Sequence, residues 1–379
     1  MRRETIINMM QQHLWSTSLH STAQQNFDLN GPNLGIPKQN TSKQAVMTND
    51  TAELLKLHYK MGHIPFPKLR VMAKQGKIPK ALAKCDIPLC SACLYARQTR
   101  RPWRNKPPKQ KHSKHNNLQS GDTVSVDQMV SPTPGLVAQM TGILTNKRYK
   151  YATVYVDQAS RLGYTYLQKT TTAEETIQGK VAFELYVHSH GIKVKGYHAN
   201  NGIFHANAWV NHCKKSKQAL TYAAVNAHHQ NGITEREIRE LQSMARTMLI
   251  HASKQWHNCI TANLWPYALR HASNMINDAP LLQDKQGRTS IEIFLNTKVS
   301  SNPKHHHTFG CPAYVLENEL QQSKPFHKWK QIVIIITQRL IIKLLRYQLC
   351  LLDGGLLRTL VIIPRYAYSS WAPQNLKGS

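Results

Sequence analysis

The sequence predicts an α/β domain over residues 121–285, preceded by a small helical module at 51–104. Three observations carry this reading. Strand and helix signals alternate from residue 121 to 280, as they do when helices cover a sheet. Two helical periods in that stretch open with capping residues and are amphipathic. Ahead of them, two histidines and two cysteines fall at metal-ligand spacing in a short helical segment.

Taken in order, residues 1–50 are rich in Gln, Asn, Ser and Thr with little periodicity, and are expected to be a disordered linker. From Thr51 the pattern sharpens. Leu54, Leu55 and His58, then Leu69, Val71 and Met72, suggest two short helices. Residues 105–120 form a basic linker in which Pro107-Pro108 breaks regular structure. Val124–Val126 is expected to be a short buried strand. Tyr151–Val156 and Tyr164–Leu167 are two more strands, flanking a turn at Arg161-Leu162-Gly163. Thr172 with Glu175 makes a capping box for a helix running to about His190, where Gly191 stops it. In that helix Ile177, Val181 and Leu185 share one face. Lys193–Tyr197 is the next strand and Ala206–Lys217 the next helix. Thr234 with Glu237 makes a second capping box, and the helix it opens carries Ile238, Leu241, Ala245, Met248 and Leu249 on one face. Residues 286–330 follow the core. Residues 331–379 fit no single periodic template and are expected to be an irregular tail of the kind a frameshift produces.

Composition narrows the class. Lys and Arg outnumber Asp and Glu 49 to 20, a formal net charge of +29, which calls for a polyanionic partner such as nucleic acid. The densest basic run comprises Arg97, Arg100, Arg101, Arg104, Lys106, Lys109, Lys111 and Lys114, with Trp103 inside it, and these are the candidate DNA contacts. Seven widely spread cysteines argue against a disulfide scaffold and for a reducing compartment. Met1-Arg2-Arg3-Glu4 is not followed by the apolar stretch of a signal peptide, so secretion is not expected. The greasiest stretch, Ile332 to Leu352, is broken by Arg339, Lys343 and Arg346, so no membrane span is expected.

Two constellations carry chemistry. His58-x₄-His63, then 26 residues, then Cys90-x₂-Cys93, offers two imidazoles and two thiolates, with both histidines placed on one face of a continuing helix. Four protein ligands leave no open position, which makes a structural Zn²⁺ site. Cys85 is a spare thiol. The second constellation is Asp127 at the end of Val-Ser-Val, Asn200 in His-Ala-Asn-Asn-Gly, and Glu235, 35 positions after Asn200 and in the first turn of its helix. With Asp at 200, these would be three carboxylates able to hold two Mg²⁺ ions for phosphodiester cutting and joining. Mg²⁺ wants hard, charged oxygen ligands, and Asn200 is neutral. Nearby motifs are weaker. Tyr155-Val-Asp157-Gln158 lacks the second Asp of a Tyr-x-Asp-Asp motif, so Asp157 is expected to be a strand-turn residue. Asp353-Gly-Gly355 lacks the hydroxyl residue of an aspartic-protease motif. His198 is expected to be structural, Gly202 to supply a turn, and Trp256 and Trp265 to lie in the core.

In this order the motifs resemble the pre-integrase zinc region and integrase core of a Ty/copia-type long-terminal-repeat retrotransposon polyprotein. The resemblance covers about residues 52–330. It rests on Leu57-His58-Tyr-Lys-Met-Gly-His63, Cys90-Ser-Ala-Cys93 with its basic exit, Val126-Asp127-Gln128, Tyr197-His-Ala-Asn200-Asn-Gly202, Gln230-Asn-Gly-Ile-Thr-Glu235-Arg236 and His307-Thr-Phe-Gly-Cys-Pro312. It implies an RNase H-like core and 3′-processing and strand transfer dependent on Mg²⁺ (or Mn²⁺). It also implies a homo-oligomer on element and target DNA, acting in the nucleus after synthesis in the cytoplasm. The family has Asp where this chain has Asn200, and its protease, reverse-transcriptase and RNase H segments are not seen here, so the resemblance implies a fragment of a decayed copy. The alternative function is a catalytically dead DNA-binding relic.

Overall fold

The computed structural model describes residues 48–98, 118–137, 147–200, 202–224, 231–256, 260–299, 303, 306–316, 329–338, 346–351 and 358–361. Most of the N-terminal linker and most of the basic tract, including Arg100, Arg101, Arg104, Lys106, Lys109 and Lys111, lie outside the described residues.

The first part is helical: α1 (Asn49–Lys60), α2 (Phe66–Lys74), a 3₁₀ turn at Lys80–Ala83 and α3 (Ser91–Ala96). The Thr48 side chain caps α1, and Pro67 sits in the first turn of α2, where its missing N–H costs nothing. The core follows as β1 (Val124–Leu136), β2 (Arg148–Asp157), β3 (Gly163–Gln168), α4 (Ala173–His188), β4 (Gly196–Ala199), α5 (Asn207–Lys215), β5 (Ala219–Tyr222), α6 (Gly232–Gln255) and α7 (Trp265–Asp278), then α8 (Ser290–Leu295).

The five strands form one mixed sheet in the order β3-β2-β1-β4-β5. β1, β2 and β3 are antiparallel neighbours, while β4 runs parallel to both β1 and β5. Side chains of β2 alternate between the two faces, as a strand requires. Ala152, Val154 and Val156 face the cluster built on α6 and α7, and Tyr155 faces the cluster with Phe183, Tyr197 and Trp209. The sheet is thus covered by helices on both sides, the α/β architecture expected, with the small helical module ahead of it. Among the described residues that module has no separate core. Leu54, Met61, Leu69 and Met72 share one buried apolar cluster with Leu241, Met244, Met248 and Met275 of α6 and α7.

Four local expectations need correction. β1 is a long strand, not a short one. Its pairing with β2 slips between Val130 and Gly135, where Pro132 and Pro134 have no N–H to give the ladder. In α4, Val181 and Leu185 face solvent at 38% and 65% exposure. The buried face is instead Thr176, Gly179, Lys180, Phe183 and Val187, because the sheet offers aromatic rings there. Phe183 stacks on Tyr155 at 4.9 Å, and a Cβ on Gly179 would meet the Tyr166 ring at 2.7 Å. α6 starts at Gly232, so Thr234 is inside its first turn; its hydroxyl donates to Asn231 Oδ1 at 3.1 Å rather than capping the helix. Finally, part of the expected irregular tail is paired. β6 (Pro312–Leu316), β7 (Trp329–Gln338), β8 (Arg346–Leu351) and β9 (Arg358–Val361) form a four-stranded antiparallel sheet.

Candidate functional site

Sheet register brings Asp127 and Asn200 together. Val124, Ser125 and Val126 of β1 lie beside Tyr197, His198 and Ala199 of β4, so the next residue of each strand is Asp127 and Asn200. Asn200 Nδ2 donates to Asp127 Oδ2 at 3.0 Å, and the Gln128 backbone N–H donates to Asp127 Oδ1 at 2.8 Å. Asn200 Oδ1 is buried with no hydrogen-bond partner among the described residues. Glu235 lies in the first turn of α6. Asn231, fully buried just ahead of that helix, donates from Nδ2 to the Val126 carbonyl at 3.1 Å. One asparagine therefore ties the start of α6 to the residue before Asp127, four positions ahead of the half-buried Glu235. The sequence carried a sign of Asn231, since it stands in the Gln-Asn-Gly-Ile-Thr-Glu motif, but not of its anchoring role.

The neighbouring residues are structural. Asp157 is fully buried; it accepts from Gly121 N at 2.9 Å, Ser160 N at 2.8 Å and Ser160 Oγ at 2.6 Å, closing the turn between β2 and β3. Burial raises its carboxyl above the usual range against those hydrogen bonds. His198 Nδ1 pairs with Thr221 Oγ1 at 2.9 Å. Gly202 has φ 122°, a left-handed turn after β4 that L side chains rarely adopt. Trp265 is buried, Trp256 partly so, and their indole N–H groups donate to Thr133 and Gly310 carbonyls.

The His/Cys constellation closes on itself, though not through one helix. α1 ends at Lys60, and Gly62 and His63 take φ of 64° and 63°, reversing the chain so that the His63 ring faces back onto His58. A Cβ on Gly62 would meet Met275 Cγ at 3.0 Å, so only glycine fits this reversal easily. Cys90 stands at the N-cap position of α3 and Cys93 lies in its first turn. The four donor atoms lie within 4.8 Å of one another. His58 Nε2 is 3.2 Å from both His63 Nδ1 and Cys93 Sγ, and His63 Nδ1 is 3.5 Å from Cys90 Sγ and 3.7 Å from Cys93 Sγ. Around one tetrahedral zinc with bonds of about 2.0–2.3 Å, donors sit about 3.3–3.8 Å apart, so this donor set fits that ion. The remaining imidazole nitrogens are engaged as such a site needs: His58 Nδ1 faces the Ile64 carbonyl at 2.9 Å, and His63 Nε2 faces His251 Nδ1 at 2.9 Å. Burial holds the His63 imidazole down at about 4, so it is neutral at pH 7, the ligand form. Hydrogen bonds from Cys93 and the two histidines lower the Cys90 thiol. Cys85 stands aside, with its Sγ on the Leu82 carbonyl. Arg97, exposed at the end of α3, donates to the His63 carbonyl at 3.1 Å.

No protein-family model and no curated protein matches the chain. Solved structures do. The HTLV-2 integrase catalytic core domain in complex with magnesium is 17% identical, over 47% of this chain and 98% of that one, at a TM-score of 0.33. A simian T-cell lymphotropic virus intasome in complex with PP2A regulatory subunit B56 gamma is 15% identical, over 66% of this chain and 81% of that one, at 0.37. The BIV integrase catalytic core domain is 20% identical, over 46% and 95%, at 0.32. The mixed five-stranded sheet flanked by helices is the α/β class that the sequence predicts.

The acidic residues do not match two Mg²⁺ ions. Two carboxylates and an amide carry one negative charge fewer than three carboxylates, and bridging two dications depends on that charge. Moreover, the Asn200 amide donates to one of the two Asp127 carboxylate oxygens.

Proposed function

We propose that this chain is an integrase-type DNA-binding protein of a Ty/copia-type retrotransposon, with strand-transfer chemistry impaired at Asn200. The observation that carries the reading is the Asn200–Asp127 hydrogen bond at the end of the paired strands β1 and β4. An amide stands where a second carboxylate would complete a metal site, on a sheet whose neighbouring helix brings Glu235. The reaction class is in-line attack of water or a DNA 3′-OH on a phosphodiester. Mg²⁺ or Mn²⁺, held by carboxylates, would supply activation of that nucleophile and stabilisation of the leaving oxygen. In this chain Asp127 and Glu235 are the two carboxylates left of such a set, and Asp127 is hydrogen-bonded to Asn200 Nδ2 instead.

The rest of the reading follows the same line. His58, His63, Cys90 and Cys93 hold a structural Zn²⁺. Arg97 and the basic residues up to Lys111 contact DNA phosphates. The protein works as a homo-oligomer on element and target DNA in the nucleus. Among the described residues no helix is long and apolar enough to cross a membrane.

Strand transfer by the purified chain, with Mg²⁺ or Mn²⁺ and short duplexes carrying element ends, tests this beside Asn200→Asp. The parent is expected to be inactive and Asn200→Asp active, with activity lost again on adding Asp127→Ala. A parent as active as the revertant overturns the impairment. Two folded but inactive proteins that still bind DNA favour the second reading, a DNA-binding relic.

A further inference from the structure

We infer that His251 of α6 is an outer-sphere part of the His58–His63–Cys90–Cys93 centre, so that the helix carrying Glu235 also completes the metal site. The inference rests on the zinc reading of that cluster. With Nδ1 turned to the metal, the His63 imidazole must carry its proton on Nε2. That N–H needs an acceptor, and the atom facing it is His251 Nδ1 at 2.9 Å. His58 solves the same problem within the module, by giving Nδ1–H to the Ile64 carbonyl at 2.9 Å. His63 finds its acceptor 188 residues away in the sequence. Such partners fix the tautomer and the ring plane of a metal-bound histidine and raise its basicity.

The placement of His251 is not a loose surface contact. Its ring packs on Tyr59 at 4.2 Å between centroids and edge-on to His63 at 4.8 Å. One turn on, Lys254 Nζ donates to Ser91 Oγ at 2.9 Å and lies over the Tyr95 ring at 5.4 Å. One and two turns back, Met248 Sδ and Met244 Cε stand against the position a Gly62 side chain would take. Successive turns of α6 therefore hold the module from its methionine contacts to its last lysine. Glu235 lies sixteen residues before His251 on the same helix, about 24 Å away at 1.5 Å per residue. Metal loading is thereby linked to the packing of the helix that brings the third acidic residue to the sheet.

Competition for Zn²⁺ between the full chain and a chromophoric chelator tests the inference. Three proteins are compared: the parent, His251→Phe and His251→Asn. Phe keeps a ring against Tyr59 but offers no acceptor. Asn loses the ring but places Oδ1 close to where Nδ1 was. The expected result is about 10–100-fold weaker binding for His251→Phe, with His251→Asn restored to within about threefold of the parent. Equal affinity in all three, or an Asn variant as weak as the Phe variant, overturns the role of the acceptor while leaving the zinc centre intact. A parent that binds no Zn²⁺ overturns both. Circular dichroism at saturating Zn²⁺ checks that the variants share the parent's fold.

Discussion

Asn200 and His271 show how far a single residue can carry an argument. Asn200 was visible in the sequence as a neutral residue in an acidic place; its hydrogen bond to Asp127 needed the sheet register. His271 had no signal at all. It is 1% exposed in α7, and neither ring nitrogen has a hydrogen-bond partner among the described residues. Burial lowers it to about 4, with His307 adding to the shift. A histidine whose folded pKa lies below its unfolded value of about 6.5 binds fewer protons when folded. Stability is then full above about 6.5 and falls as pH drops toward 4. His271→Leu removes that liability. Relative to the parent, the variant should gain up to about 2 kcal/mol on going from pH 7.5 to pH 5, from the linkage of a group shifted between those two pKa values. Urea unfolding of both proteins at the two pH values measures it, and a difference independent of pH refutes it.

At the scale of elements, helix α4 is the instructive case. Counting apolar letters pointed to Ile177, Val181 and Leu185, because nothing in the text says that Thr176, Gly179 and Lys180 can be an inner face. The sheet decides it. Tyr155 and Tyr166 fill the volume above the helix, which leaves room for a glycine, and the buried Lys180 is satisfied by Glu184 at 2.9 Å and His212 at 3.1 Å. Phe183→Ala should therefore cost about 3–5 kcal/mol, while Leu185→Ala should change stability by less than about 0.5 kcal/mol. Thermal unfolding ranks the two, and similar losses would mean the outward face of α4 is covered. Helix α6 was easier to foresee, since Leu241, Ala245, Met248 and Leu249 are buried as its period requires. Its start shifted because Asn231 binds the Val126 carbonyl, a contact 105 residues away in the chain.

On the scale of the whole molecule, charge and packing act separately. The formal charge of +29 bears on partners, and the basic tract carries eight of its cations between Arg97 and Lys114. If six to eight of them meet phosphates, log Kd for duplex DNA should change with log salt concentration at a slope of magnitude about 5–7. Replacing Arg100, Arg101 and Arg104 by Ala should reduce that slope by about 3. Fluorescence anisotropy across a NaCl series measures both, and an unchanged slope removes the tract from the DNA interface. Packing, by contrast, unites what the sequence separates: the helical module and the α6–α7 face share one apolar cluster. Alternating strand and helix signals could foretell the layers, because each element buries its own face. They could not foretell that shared cluster, because the contacts that join the module to α6 and α7 span the chain.

The sequence by itself determined the α/β class, the two constellations with their ligand types, and the basic partner-seeking charge, because residue chemistry and local periodicity are written in short stretches. Only the tertiary structure decided that Asn200 spends its amide on Asp127, that Asn231 fastens the Glu235 helix to β1, and that His63 turns its second nitrogen to His251. Each of these is a hydrogen bond between residues 73 or more positions apart, so its partner is set by how the sheet and helices stack and not by anything adjacent in the chain.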